Sequence, residues 1–249
     1  MNMKKTIFKV LITFCVAIAM IFGSCDDGVG GGGGGPGINV EIEMINVPGG
    51  SFQMGNPDSS VGGSDERPVR TVTLTGFYMS KTEVTQAQYQ AVMGSNPASG
   101  YGVGGNYPVY YVSWYDALVF CNKLSIAKGL TPAYRINNST DPTAWGSVPT
   151  STNATWNAVE IVSGSTGYRL PTEAQWEYAA KGGNGSPGNY TYSGSNTVGD
   201  VAWYTNNSGS GTHPVGTKAA NGLGLYDMSG NVYEWCWDWY GSYPSTGAD

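Results

Sequence analysis

The apolar residues of this chain are unevenly spaced and predict a few short elements joined by polar loops. A continuous apolar run covers residues 10–22 near the N-terminus. Residues 69–74 read VRTVTL, an alternating run rich in β-branched side chains, which predicts a strand. Residues 41–54 carry apolar side chains on both sides of a Pro-Gly-Gly turn and predict a β-hairpin.

Three later segments have apolar residues at helical spacing. The first covers residues 85–93 and is followed by a glycine, and the second runs from residue 113 or 114 through 124. In the third, Thr172 is a candidate N-cap and Gln175 completes a capping-box pattern, and two glycines end the pattern. The remaining sequence is rich in Gly, Ser, Thr, Asn and Tyr, which is typical of a loop-rich α+β domain.

The N-terminal apolar run indicates export. Lysines precede it, and it is shorter than the roughly 20 residues that cross a bilayer as a helix. We therefore interpret residues 1–24 as a signal peptide. Residues 22–25, Phe-Gly-Ser-Cys, resemble a bacterial lipobox, which predicts a lipid on Cys25 of the mature protein. Ordinary secretion with Cys25 unmodified is the alternative.

A glycine-rich stretch follows the predicted lipidation site. Eight of the residues from 25 to 37 are glycines, including a run of six at 30–35, which predicts a flexible tether. A lipid anchor and a tether would hold the remaining domain, residues 38–249, close to the bacterial cell membrane or outer membrane, on its periplasmic or surface face. The membrane is thus an expected partner.

The charge and the cysteines narrow the possible functions. The formal net charge is −6, and removal of the signal would take away lysines and no acids, which argues against nucleic-acid binding. Cys15 lies in the signal, which leaves Cys121 and Cys236 in the domain. An exported protein could pair them in a disulfide, but two buried free thiols are the interpretation we favour.

Two longer blocks carry a family resemblance. Residues 167–183 read GYRLPTEAQWEYAAKGG and residues 224–235 read GLYDMSGNVYEW. Both resemble signature blocks of the formylglycine-generating enzyme family, also called the sulfatase-modifying factor domain, and shorter matches run in order from about residue 45 to Tyr240. The resemblance implies a loop-rich C-type-lectin-like fold of class α+β, with short antiparallel strands and two or three helices.

The resemblance implies two possible functions. The family's enzymes oxidise a sulfatase cysteine to formylglycine with oxygen and with copper held by two cysteines near the C-terminal end of the domain. Neither that pair nor the usual Arg-Gly-Gly-Ser-Trp block occurs before Asp249. We therefore predict no catalytic residues and a noncatalytic module that binds a protein or glycan ligand. The alternatives are a fragment of a formylglycine-generating oxidoreductase, whose missing region would supply the copper ligands, and a nonfunctional remnant.

Calcium is the cofactor that the resemblance implies most directly. In the family, a loop equivalent to residues 227–234 binds Ca²⁺ through the side chains at the positions of Asp227 and Glu234. Backbone carbonyls at the positions of Gly230 and Val232 complete this site. Hard oxygen ligands are what Ca²⁺ requires. A hydrogen-bonded turn that packs nearby aromatic residues into the core is the alternative.

Other catalytic arrangements find little support in the sequence. His213 is the sole histidine, which excludes histidine-rich metal sites within this chain. Glu173 and Glu177 stand one helical turn apart, but we interpret them as structural, with one partnered by Arg169. The chain has 17 tyrosines and 8 tryptophans, which fill cores but also form adaptable binding surfaces. An insertion-like stretch at residues 133–165 is either functional or poorly ordered.

Overall fold

A computed structural model describes most of the domain and a few backbone segments before it. The described residues are 4–7, 16–18, 21–22, 38–57, 64–184, 190–241 and 243. Cys25, the tether at residues 25–37 and most of the predicted signal peptide lie outside them, so their interpretation stays a prediction. No helix among the described residues is both long enough and apolar enough to cross a membrane.

The described elements are short and mixed in type. The strands are β1 (Lys4–Ile7), β2 (Val16–Ile18), β3 (Ile21–Phe22), β4 (Met44–Val47), β5 (Gly50–Met54), β6 (Arg70–Leu74), β7 (Phe77–Ser80), β8 (Tyr134–Arg135), β9 (Glu160–Ile161) and β10 (Tyr233–Trp239). The α-helices are α1 (Gln86–Met93), α2 (Trp114–Ala127), α3 (Ala154–Asn157), α4 (Glu173–Ala180) and α5 (Val198–Val201), with 3₁₀ turns at Ser64–Glu66 and Pro142–Trp145. Long loops join them, as the composition predicts.

The strands form small sheets. In the first, β10 lies between β1, which is antiparallel to it, and β2, which is parallel. In the second, β7 lies between β3 and β4, and both pairs are antiparallel. Strands β5 and β6 form one antiparallel pair, and β8 and β9 form another. The predicted α+β class with short, mostly antiparallel strands is confirmed.

The predicted hairpin at residues 41–54 is wrong, although both of its strands exist. Strand β4 pairs with β7, whereas β5 pairs with β6. The two strands belong to different parts of the core, because Val47 packs with the cluster around β7 and Met54 packs in another cluster with Val72. At the turn, a side chain on Gly49 would come within 2.8 Å of the Gly76 backbone. The chain therefore passes from one sheet to the next at this point.

The three longer helices begin where the sequence predicts. Thr85, Ser113 and Thr172 are their N-caps, and each completes a capping box with the residue three positions on. Helix α1 ends at Gly94, which adopts a left-handed φ of 86°. Helix α2 runs to Ala127, three residues past the predicted end. Such local signals locate helices because their hydrogen bonds form within one turn.

Two core clusters position the rest of the domain. The larger surrounds α2, and the other brings together α4, β7 and β10. The Trp114 indole N–H donates to the Cys236 carbonyl at 3.0 Å and so connects the two. Cys121 lies in the first cluster and Cys236 in the second, and both are free and buried. The prediction of two buried free thiols is confirmed.

The insertion-like stretch at residues 133–165 packs against α2. The buried amide of Asn122 donates to the carbonyls of Tyr134 and Thr140, and its oxygen accepts from the Tyr134 N–H. Trp145 and Trp156 are buried in the main core cluster, with their ring centroids 5.7 Å apart and nearly perpendicular. Packing of this kind shows that the stretch is an ordered part of the domain.

Candidate functional site

Three buried carboxyl groups interact electrostatically around residues 227–234, which we call the signature loop and which lead into β10. Glu83, Asp227 and Glu234 are 1%, 5% and 4% exposed. Within the described residues none of them forms an ion pair with a lysine or arginine. Burying carboxylates without a countercharge is costly, so their surroundings decide how the negative charge is accommodated.

Asp227 lies in the turn and Glu234 lies in β10. The Asp227 backbone has a left-handed φ of 61°, and its Oδ2 accepts from the Gly216 N–H at 2.7 Å. The Trp176 indole N–H donates to Oε2 of Glu234. Burial raises the pKa of Asp227 to about 6, and burial together with the Asp227 charge raises the pKa of Glu234 to about 7.

Glu83 completes the group and comes from a distant part of the sequence. Its Oε1 accepts from the Val232 N–H at 3.1 Å, and its Oε2 accepts from the Asn231 side-chain amide at 2.8 Å. Burial raises the pKa of Glu83 well above its usual value, and the charges of Asp227 and Glu234 raise it further. Sequence reasoning assigned no role to Glu83; it lies in one of the shorter family matches between residue 45 and Tyr240, which read KTEVT at residues 81–85 and could have drawn attention to it.

Asn231 ties the signature loop to the loop before it. Its amide also donates to the His213 carbonyl at 3.1 Å, and its Oδ1 accepts from the His213 N–H at 2.9 Å. The Asn231 N–H donates to the Trp203 carbonyl, and its φ of 72° is left-handed. Sequence reasoning also missed this residue. Asparagine is among the few residues that tolerate such a backbone while bonding locally.

Gly230 and Val232 supply the backbone of the predicted calcium loop. A side chain at Gly230 would approach the Trp203 carbonyl oxygen to 2.5 Å, so only glycine fits. The Gly230 carbonyl accepts from the Val232 N–H. Oxygen donors that are buried and carry net negative charge suit a hard cation. In the described part of the chain, however, no three His, Cys, Asp or Glu residues are placed to share a metal ion.

The described thiols do not fit the copper chemistry of the family's enzymes. Cys121 and Cys236 are both fully buried, and they belong to different core clusters. Burial raises the pKa of the Cys121 thiol far above its ordinary value, which keeps it protonated. Copper(I) binds thiolates, so a buried protonated thiol apart from its counterpart is a poor ligand.

The two glutamates of α4 have structural partners, as predicted, but not the predicted arginine. Glu173 accepts from the Tyr243 hydroxyl, and Glu177 pairs with Lys181. Arg169 instead donates to the side chain of Gln175 at 3.1 Å. In the capping box the Gln175 side-chain oxygen lies at the start of the helix, where the Arg169 guanidinium donates to it.

His213 lies in a loop. Its ring stacks on Trp203 with centroids 3.7 Å apart, and its Nε2 is 2.9 Å from the Ser208 carbonyl. The Lys218 ammonium lies 4.1 Å from the centroid of the same indole. These contacts make His213 part of a packed loop cluster.

The class of this protein is defined by its loop-rich α+β scaffold and by an acidic turn whose backbone depends on Gly230 and Asn231. The chain belongs to the sulfatase-modifying factor enzyme 1-like domain family, whose model matches residues 38–248. The family assignment agrees with the motif blocks and with the observed fold.

The relatives of this chain include proteins with different names. It is 45% identical over 225 residues to "Chaperone protein LppX" of Paenibacillus barcinonensis, covering 83% of this chain and 75% of that protein. It is 30% identical over 236 residues to the formylglycine-generating enzyme of Thermomonospora curvata, covering 79% and 71%. Among solved structures, "Treponema denticola variable protein 1" aligns with a TM-score of 0.73 and 42% identity, covering 84% of this chain and 77% of that one.

Proposed function

We propose that this protein is an exported lipoprotein whose sulfatase-modifying factor domain binds a ligand or a partner protein and does not oxidise cysteine. The observation that carries the proposal is the state of its thiols. Cys121 and Cys236 are free and buried in separate clusters, an arrangement that does not suit a shared copper ion. The fold does not by itself fix the function, and the loops of such a scaffold would serve as a binding surface.

The names of the relatives support an interaction function. A relative at 45% identity is called a chaperone, which is a protein that contacts other proteins. Its name is also consistent with lipidation at Cys25, and hence with a membrane anchor. The protein would then be held at the bacterial cell membrane or outer membrane by a lipid on Cys25, with the domain facing the periplasm or the cell surface.

Calcium at the signature loop is part of the same proposal. Asp227 and Glu234 would supply charged oxygens, and the carbonyls of Gly230 and Val232 would complete the set. A bound divalent cation would neutralise the buried charge that these carboxylates share with Glu83. Its role would be to stabilise the signature loop.

Copper binding tests the thiol argument. The full chain, purified in detergent, is titrated with Cu(I) in competition with a chromogenic Cu(I) chelator. We expect the chelator to retain the metal, and we expect the same result for a Cys121→Ser, Cys236→Ser double variant. Uptake of one equivalent of copper by the wild type that the double variant loses would overturn the noncatalytic proposal.

Membrane fractionation tests the anchor. We expect the wild-type protein in the membrane fraction and a Cys25→Ser variant in the soluble exported fraction. Membrane retention of both proteins would refute lipidation at Cys25.

The second candidate function is that of a formylglycine-generating oxidoreductase of which this chain is a fragment. The 30% identity to the Thermomonospora curvata enzyme favours it. A continuation of the reading frame past Asp249 that encodes two closely placed cysteines would establish this alternative.

A further inference from the structure

An exposed aromatic surface lies next to the signature loop. Tyr101 and Tyr111 are 40% and 49% exposed with their ring centroids 6.3 Å apart, and we call these two residues the tyrosine surface. Single exposed apolar side chains are ordinary, whereas neighbouring ones mark binding sites.

The rings of the tyrosine surface are held in place from below. Tyr110 is fully buried, and its ring centroid lies 6.3 Å from that of Tyr101 and 5.1 Å from that of Tyr111. Its hydroxyl accepts from the Tyr101 N–H at 3.0 Å and donates to the Gly102 carbonyl. Tyr110 also packs against Val232 of the signature loop. A ligand that contacts these rings would therefore lose little entropy to ordering them.

Tyr111 has an unusual backbone. Its φ of 61° is left-handed, which is rare and strained for a bulky residue. The strained backbone places its ring edge-on to that of Tyr101, with the centroids 6.3 Å apart. Strain of this kind persists where the surroundings fix it and is found often at binding sites.

Two segments that meet at the tyrosine surface carry almost no charge. The Tyr101 carbonyl accepts from the Thr212 side chain, which brings residues 94–113 and 201–217 together. Neither segment contains an Asp, Glu, Lys or Arg. Their one ionisable group besides tyrosine is His213, which is engaged with Trp203. The polar side chains of both segments are hydroxyls and amides, so the surface suits a neutral ligand.

We propose that the tyrosine surface binds the sugar rings of a neutral glycan. A sugar ring presents an apolar C–H face that stacks on tyrosine, and hydroxyls that pair with serine, threonine and asparagine side chains. A charged ligand would find no countercharge among these two segments. This inference rests on the proposed binding function and specifies its ligand.

The test compares variants on defined sugars. The full chain in detergent is applied to an array of neutral oligosaccharides of glucose, galactose, mannose and N-acetylglucosamine, with heparin as an acidic probe. The strongest binder is then titrated by calorimetry. Tyr111→Gly removes the ring and suits the left-handed backbone, so it should fold. Tyr190→Gly is the matched control, because Tyr190 is 41% exposed and lies outside both segments.

We expect binding of a neutral oligosaccharide, an affinity reduced about tenfold or more in Tyr111→Gly, and an unchanged affinity in Tyr190→Gly. High salt should leave the affinity unchanged, because no charges meet. Absence of binding to every neutral sugar, or binding that Tyr111→Gly retains, would overturn the proposal. So would preferential, salt-sensitive binding of heparin. None of these failures bears on copper uptake, so the proposed noncatalytic function is judged separately.

Discussion

Replacement of Asn231 by alanine should destabilise the domain more than any ordinary loop substitution. The Asn231 side chain forms three hydrogen bonds, two with the backbone of His213 and one with Glu83. It is 4% exposed, so water does not replace these partners in the folded protein. The variant would leave one oxygen of the buried Glu83 carboxyl without its donor.

The magnitude follows from these contacts. At about 1 kcal/mol for each lost hydrogen bond, the side chain accounts for about 3 kcal/mol. Alanine at a φ of 72° adds about 1 kcal/mol, because it tolerates the left-handed region less well than asparagine. We therefore expect Asn231→Ala to lower the free energy of unfolding by about 4 kcal/mol.

Urea unfolding in the presence of a calcium chelator measures this change. Asn138→Ala is the matched control, because Asn138 has a φ of 63° but is exposed and forms no described side-chain hydrogen bond. It should lose only about 1 kcal/mol, from the backbone. If the two variants differed by less than about 1 kcal/mol, the hydrogen bonds of Asn231 would not support the loop and the reasoning would be refuted.

Three further results are expected. Cys121 and Cys236 should resist a thiol reagent in the native protein and react with it after denaturation. Burial excludes the reagent from both thiols and raises the pKa of the Cys121 thiol. Rapid labelling of the native protein would contradict this prediction. Calcium should raise the midpoint of thermal unfolding of the wild type, because an ion that binds only the folded protein stabilises it. The midpoint of Glu234→Gln should not rise, because this variant lacks one of the proposed ligands. An equal rise in both proteins would contradict calcium binding by Glu234. Asn122→Ala should make residues 133–165 sensitive to limited proteolysis under conditions that leave the wild type intact. The Asn122 side chain forms three hydrogen bonds with the start of that segment, and the variant loses them. Equal resistance of the two proteins would refute this role of Asn122.

The features that sequence predicted well are local. Each capping box lies within one turn of helix, so Thr172 and Gln175 could be recognised without knowledge of the rest of the chain. The apolar alternation also located β4, β5 and β6. It could not determine which strands pair, because pairing depends on residues far apart in sequence. Val47 and Met54 enter different clusters, and the hairpin prediction failed for that reason.

The candidate site shows the same limit. Asp227 and Glu234 could be chosen from one short loop, whereas Glu83 reaches Asn231 across 148 positions of the sequence. The tyrosine surface depends on a strained backbone at Tyr111 and on a loop a hundred residues away. Neither has a local pattern, so composition could indicate only that the aromatic residues fill a core or form a surface.

Oxidation of a substrate cysteine tests the central claim most directly. The full chain is incubated with oxygen, Cu(I) and a peptide that carries a sulfatase cysteine, and mass spectrometry follows the cysteine. The account predicts that the peptide shows no more formylglycine than a control with copper and no protein. Formylglycine above that control, increasing with protein concentration, would contradict the account and identify the chain as an oxidoreductase.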